Sequence, residues 1–161
     1  MARGMRTRVR WLDGNVTVDN PSAALTIDNL VLISATQVAD ILDNGGLHKR
    51  TVGYLSMRNT STTLVNFVSA GLMKVQLDSG GAFGTMDPSN ATSTGDSPWL
   101  WTYHRALMPA TANAANAHEI CHVNLDINVA RKFAANDSLV MFVIGSQATS
   151  HTIWTRHLFQ V

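Results

Sequence analysis

The chain has 161 residues, of which 45% are apolar and 14% charged, and its formal net charge is +1. This is too apolar for a disordered segment. It is also too evenly interrupted for a membrane protein, because no apolar run approaches the roughly 20 residues that cross a bilayer. The length suits one domain with one sizeable core, and the lone Cys121 excludes an internal disulfide framework.

The chain opens on MARGMRTRVRW, basic but with no apolar stretch behind it, so no secretory signal is expected. Arg3, Arg6, Arg8 and Arg10 are four of the twelve basic residues and fall in the first ten positions. The other 151 residues carry eight basic and eleven acidic side chains, a balance of −3. Residues 1–10 therefore read as a cationic arm on a near-neutral body spanning 11–161. Such an arm is either a solubilising tail or a device that neutralises phosphates and releases their counterions.

Strand signals dominate the rest of the chain. Residues 8–12 and 15–19 are rich in Val, Trp and Thr and flank Asp13-Gly14-Asn15, a turn sequence; Asn20-Pro21-Ser22 is another. One helix is expected over 34–43. Ser34 and Gln37 make a capping box, Val38, Ile41 and Leu42 lie on one face, and Asn44-Gly45-Gly46 is a C-terminal stop. Residues 50–58 and 62–68 read as strands. Asn59-Thr60-Ser61 has the form of a glycosylation sequon but no secretion route to serve it. Met73-Lys74-Val75-Gln76-Leu77 alternates as a half-buried strand does.

Residues 78–98 read as a long surface loop. Its Gly80-Gly81-Ala82-Phe83-Gly84 has neither the lysine nor the following helix of a phosphate cradle. In strand 99–107, Trp99 and Trp101 share a face. If exposed they would stack bases or sugars; the plainer alternative is core or subunit interface. Residues 109–117 read as a second loop.

His118-Glu119-Ile120-Cys121-His122 fits H-E-x-x-H, the pattern of a catalytic zinc site. On a helix the two histidines would share one face. On a strand they stand about 13 Å apart at roughly 3.3 Å per residue, too far to ligate one ion. Residues 121–129 alternate strictly from Cys121 onward, so strand is the better reading. Leu125 and Asn128 stand where a metzincin-type continuation needs glycine and a third histidine, and Glu119 is the only glutamate. No catalytic residue, metal ligand or cofactor site is assigned, and the chain is read as a non-enzyme. Cys121 falls on the apolar side of its strand as a small core residue. Residues 139–144 form a continuous apolar run, consistent with a strand buried on both faces, and 151–160 read as a last strand. Together these elements predict an all-β protein: an antiparallel two-sheet sandwich, jelly roll or barrel of about eight strands with one short helix.

Several segments in this order carry a resemblance. They are Arg8-Val9-Arg10-Trp11, Arg50-Thr51-Val52-Gly53-Tyr54-Leu55, Asp96-Ser97-Pro98-Trp99-Leu100-Trp101, residues 125–133 (LDINVARKF) and Asn136-Asp137-Ser138-Leu139-Val140. The chain resembles the single jelly-roll capsid proteins of small circular single-stranded DNA viruses. The likeness spans nearly the whole length as order and style rather than as one fixed motif. It implies a virion shell protein that assembles with copies of itself into an icosahedral capsid, formed inside the host cell with no membrane partner. Residues 11–161 would form the shell domain. Arg3, Arg6, Arg8 and Arg10 would contact nucleic acid without sequence preference, from an arm shorter than that group's usual tails. Two other classes fit the same features: a carbohydrate-binding jelly roll using Trp99 and Trp101, and a tailed-phage decoration or head accessory subunit.

Overall fold

A computed structural model of the chain describes residues 8–18, 27–41, 45–76, 99–109, 120–135 and 137–161. Among these residues lie eight strands and one helix, in the order β1 (Val9–Val18), β2 (Ile27–Ile33), α1 (Ala35–Ile41), β3 (Gly45–Asn59), β4 (Asn66–Gln76), β5 (Trp99–Leu107), β6 (Ile120–Ala134), β7 (Asp137–Gly145) and β8 (Thr149–Gln160). They form two four-stranded sheets. Sheet A runs β1-β8-β3-β6 and sheet B runs β2-β7-β4-β5, with every pairing antiparallel. This order, with consecutive strands alternating between the sheets except for the paired β4 and β5, and the first and last side by side, is that of a jelly roll.

Period-2 patterning builds the core. Along β6 buried or half-buried residues alternate with exposed ones through all fifteen positions. β8 alternates likewise, with His151, Ile153, Thr155, His157 and Phe159 facing in. β7, with β2 on one side and β4 on the other, is buried at eight of nine positions. Leu139, Met141 and Val143 enter the main core with Leu55, Met57, Leu72, Leu107 and Phe159. Val140 and Phe142, on the other side of β7, join Met73 in a second buried cluster on the outer face of sheet B.

The helix carries the capping box its sequence predicts. The Ser34 amide donates to Gln37 Oε1 at 2.9 Å and the Gln37 amide donates to Ser34 Oγ at 3.2 Å. Three strand expectations are corrected. The segments expected at 8–12 and 15–19 fall in one strand, Val9–Val18, with Asp19 outside the described residues: Asp13-Gly14-Asn15 runs straight through β1, because Gly14 is where the two sheets touch. A Cβ there would lie 2.9 Å from that of Leu32. The segments expected at 62–68 and 73–77 meet in one strand, Asn66–Gln76, with residues 60–65 as the turn before it and Leu77 outside the described residues. β2, whose short apolar run carries no clear alternation, was not expected. Residues 78–98 and 110–117 lie outside the described residues.

Two buried asparagines fix the turns at one end of the sandwich. Asn59 donates through its amide nitrogen to the carbonyls of Leu64, Leu107 and Met108, while its Oδ1 accepts from the Ser61 amide. Asn66 donates to Thr149 Oγ1 at 2.8 Å and accepts from the Gln147 amide at 3.0 Å, tying the β3–β4 turn to the β7–β8 turn. The sequon asparagine is thus a fully buried structural group.

The core also contains a polar chain. His157 Nδ1 lies 2.8 Å from Thr51 Oγ1, which lies 3.0 Å from His48 Nε2. His157 Nε2 lies 2.9 Å from Thr155 Oγ1, which donates to the Gly14 carbonyl at 2.5 Å. His48 stacks on Phe159 and meets Phe133 edge-on. Burial lowers His48 to a pKa of about 4. Burial, then the nearby charge of His48, lowers His157 to about 3.

Candidate nucleic-acid interface

Arg3 and Arg6 lie outside the described residues. Arg8 is exposed, and its backbone is paired with the last residue of the chain: its amide donates to the Val161 carbonyl at 3.1 Å, and the Val161 amide donates to its carbonyl at 2.8 Å. Arg10 stands on β1 opposite Phe159, on the strand face that carries Leu12, and is exposed. Two of the four arginines therefore sit at the edge of sheet A, held by β8, and the cationic run continues into the sheet.

The outer face of sheet A can be read row by row from the strand register. One row crosses Asn15, Trp154, Tyr54 and Asn124; the next crosses Asp13, Arg156, Val52 and Asp126; a third crosses Trp11, Leu158, Arg50 and Asn128. Three of these rings reach solvent: Trp11 is 43% exposed, Tyr54 40% and Trp154 42%. Tyr54 and Trp154 face each other across β3 and β8, with centroids 6.1 Å apart and planes 22° from parallel. The Arg156 guanidinium lies 5.4 Å from the Trp11 ring centre, a cation–π contact, and its Nε donates to Asp13 at 2.9 Å. Arg50 grips Asp126 with two bonds of 2.7 Å. That hydrogen bonding holds the Asp126 carboxyl below its ordinary pKa and raises the guanidinium above its own.

Sequence reasoning pointed at other tryptophans. Trp101 is half-buried, packed against the core and stacked on Tyr103, with centroids 5.9 Å apart and planes 9° from parallel; the side chain of Trp99 lies outside the described residues. The signal for the exposed rings was present but faint. In β8, Trp154 and Arg156 fall on the parity opposite to Ile153 and Phe159, and in β3 Tyr54 falls opposite to Leu55 and Met57.

The H-E-x-x-H stretch does not form a two-histidine helix face. β6 begins at Ile120, so His122 stands on a strand, exposed on the outer face of sheet A, and neighbouring Cys121 is buried on the inner face; His118 and Glu119 lie outside the described residues. Among the described residues no three His, Cys, Asp or Glu side chains group to hold a metal ion, and no helix is long and apolar enough to cross a membrane. Cys121 Sγ lies 3.5 Å from both Tyr103 Oη and an Arg105 guanidinium nitrogen, a contact that bridges the β5 and β6 edges of the two sheets.

At the end of the sandwich organised by Asn59 and Asn66, large apolar side chains stand in solvent: Leu64 is 52% exposed, Phe67 65% and Met108 58%.

No family model matches the chain, and no curated protein matches its sequence. Solved structures similar to it include a chain of Desmodium yellow mottle tymovirus, 12% identical, covering 99% of this chain and 91% of that one with a TM-score of 0.41. A chain of turnip yellow mosaic virus is 9% identical over 99% of this chain and 84% of that one, with a TM-score of 0.43. The TNF protein Eiger from S. frugiperda is 11% identical over 96% and 92%, with a TM-score of 0.37. Similarity this low in identity and superposition does not transfer a function.

Proposed function

We propose that the protein is a viral capsid subunit. In this reading the jelly roll assembles with copies of itself into a small closed icosahedral shell around a single-stranded DNA genome, without catalysing a reaction. The observation that carries the reading is the exposed apolar group Leu64, Phe67 and Met108, at the end of the sandwich where buried Asn59 bonds the Leu64 and Met108 carbonyls and Phe67 follows buried Asn66 at the start of β4. Side chains of that size, standing together on a chain with only 14% charged residues, favour contact with further subunits over solitary existence. The resemblance in segment order to capsids of circular single-stranded DNA viruses supports the same conclusion, and the assembled protein would then belong to the virion.

The arginines supply the second half of the reading. Arg3 and Arg6 precede the sheet while Arg8 and Arg10 extend its edge, so the arm proposed for residues 1–10 is anchored at its base. Arginine with glycine and threonine offers phosphate contacts but no rigid element for reading base edges, so binding would be independent of sequence.

Size-exclusion chromatography with negative-stain microscopy of the expressed full chain tests the reading. Closed shells are the expected result, and a monodisperse monomer refutes the capsid role. Retained nucleic acid should fall steeply with salt, with a log–log slope near −0.7 per phosphate contacted on single strands. Removal of residues 1–7, which spares the Arg8–Val161 pairing, should flatten that slope while shells still form.

A further inference from the structure

We propose that the outer face of sheet A is a second, built binding surface for single-stranded nucleic acid, on which unpaired bases stack against Trp154, Tyr54 and Trp11 while the flanking cations meet the phosphates. The inference deepens the capsid reading, and rests on it for the source of the strand.

Three features of the face favour this occupant. The first is that the rings are fixed in place. Tyr54 and Trp154 stand on the two central strands of a four-stranded sheet, where pairing on both sides sets their positions, and Trp11 stands on the adjoining edge strand. A sheet that presents exposed aromatics on central strands suits unpaired bases, since each base offers a face whatever its identity. A duplex keeps its bases stacked on one another and has none to offer.

The second feature is charge. Along the regular parts of the four strands, the outward positions carry Arg50, Arg58, Lys132 and Arg156 against Asp13 and Asp126. Both acids are already engaged by arginines, and the surplus is cationic. A neutral saccharide would make no use of that surplus. A two-fold contact between copies would set the same cations against themselves.

The third is contrast with the opposite side of the sandwich. On the outer face of sheet B the central apolar side chains Met73, Val140 and Phe142 are buried, and those in solvent stand at its margins, Val31 on the edge strand β2 and Phe67 at the start of β4. Trp11, Tyr54 and Trp154 remain at 40% or more in solvent.

The test uses the full chain, freed of co-purified nucleic acid, and a fluorescein-labelled dT20 oligonucleotide. Binding should quench tryptophan emission, and Trp154→Ala combined with Tyr54→Ala should weaken the affinity by roughly thirtyfold or more, the range for losing two base–aromatic stacks. The salt slope should be unchanged by that pair, because no phosphate contact is lost. Removal of residues 1–7 should do the reverse, flattening the slope and leaving the quenching. Trp154→Phe with Tyr54→Phe should restore most of the affinity, and an unchanged β-type circular dichroism spectrum confirms that each variant is folded.

Unchanged dT20 affinity in the folded alanine variant overturns the proposal. Two other results do so as well: loss of shell assembly with dT20 binding intact, which makes the face a subunit interface, and quenching by cellohexaose but not by dT20. Microscopy reports on the capsid role separately. Shells whose subunits do not bind dT20 through this face refute the stacking surface alone, whereas aromatic-dependent binding without shells refutes the capsid role alone.

Discussion

Mild acid is expected to weaken this sandwich from the inside. His48 and His157 are fully buried in the hydroxyl-bonded chain that joins β3, β8 and β1, and burial lowers their pKa values to about 4 and about 3. In the unfolded chain both return to the ordinary value near 6.5. The unfolded state therefore takes up protons that the folded state refuses, so stability is full above the ordinary value and falls with pH until the folded values are reached. Between pH 7 and pH 5 each histidine should cost about 1.9 kcal/mol, close to 4 kcal/mol for the two, at about 1.36 kcal/mol per unit of pKa difference. That is a large fraction of the roughly 5–15 kcal/mol that holds a domain together. Carboxylates of ordinary pKa contribute little in the same window.

Urea unfolding followed by tryptophan emission at pH 7 and pH 5 reads this directly: the midpoint should fall while the m-value stays constant. His48→Phe, placing a third ring beside Phe133 and Phe159, should remove about half of the pH dependence. Equal stability at the two pH values would refute the argument. So would a folded His48→Phe variant that keeps the whole of the wild-type slope.

Two further substitutions test the framework. Gly53, at φ +150°, lies in the middle of β3, where an added Cβ would collide with the Trp154 carbonyl oxygen; Gly53→Ala should cost on the order of 3 kcal/mol or abolish soluble expression, seen as a lowered Tm or as loss to inclusion bodies. Asn66→Ala removes the donor to Thr149 and the acceptor for the Gln147 amide, and should cost about 1–3 kcal/mol in urea unfolding, whereas a change at exposed Thr62 should be neutral within about 0.5 kcal/mol.

The parts of the fold legible in the sequence were those where one local signal sufficed. The capping box of Ser34 and Gln37 needs only four residues, and its two hydrogen bonds form as expected. Alternation from Cys121 to Val129 needs only one solvated face, and β6 keeps it to its end. The unbroken apolar run of β7 marks a strand covered on both sides. Asp13-Gly14-Asn15 misled because its glycine answers a contact distant in sequence. Gly14 is small so that Leu32 can approach, and the Asn15 side chain accepts the Thr155 amide instead of closing a turn. The buried asparagines were unreadable for the same reason, since Asn66 bonds to residues more than eighty positions away.

The exposed rings show where sequence reasoning about a site stops. Trp99 and Trp101 stood out because they are close in sequence, yet Trp101 packs against the core. Trp154 and Tyr54 are a hundred residues apart and became neighbours only through the register of β3 with β8. A sheet surface is assembled across strands, so its recognition residues follow the hydrogen-bond ladder and not the chain. Arg156 shows the same rule. It stands beside Trp154 in the next row, bonds to Asp13 of β1 and lies over Trp11, joining three positions that no window of sequence contains together. Loosening that ladder at its edge, by deleting the whole arm through residue 10, would disturb the seat of Trp11. A deletion ending at residue 7 leaves it in place, and only that shorter deletion separates the contribution of the arm from that of the sheet.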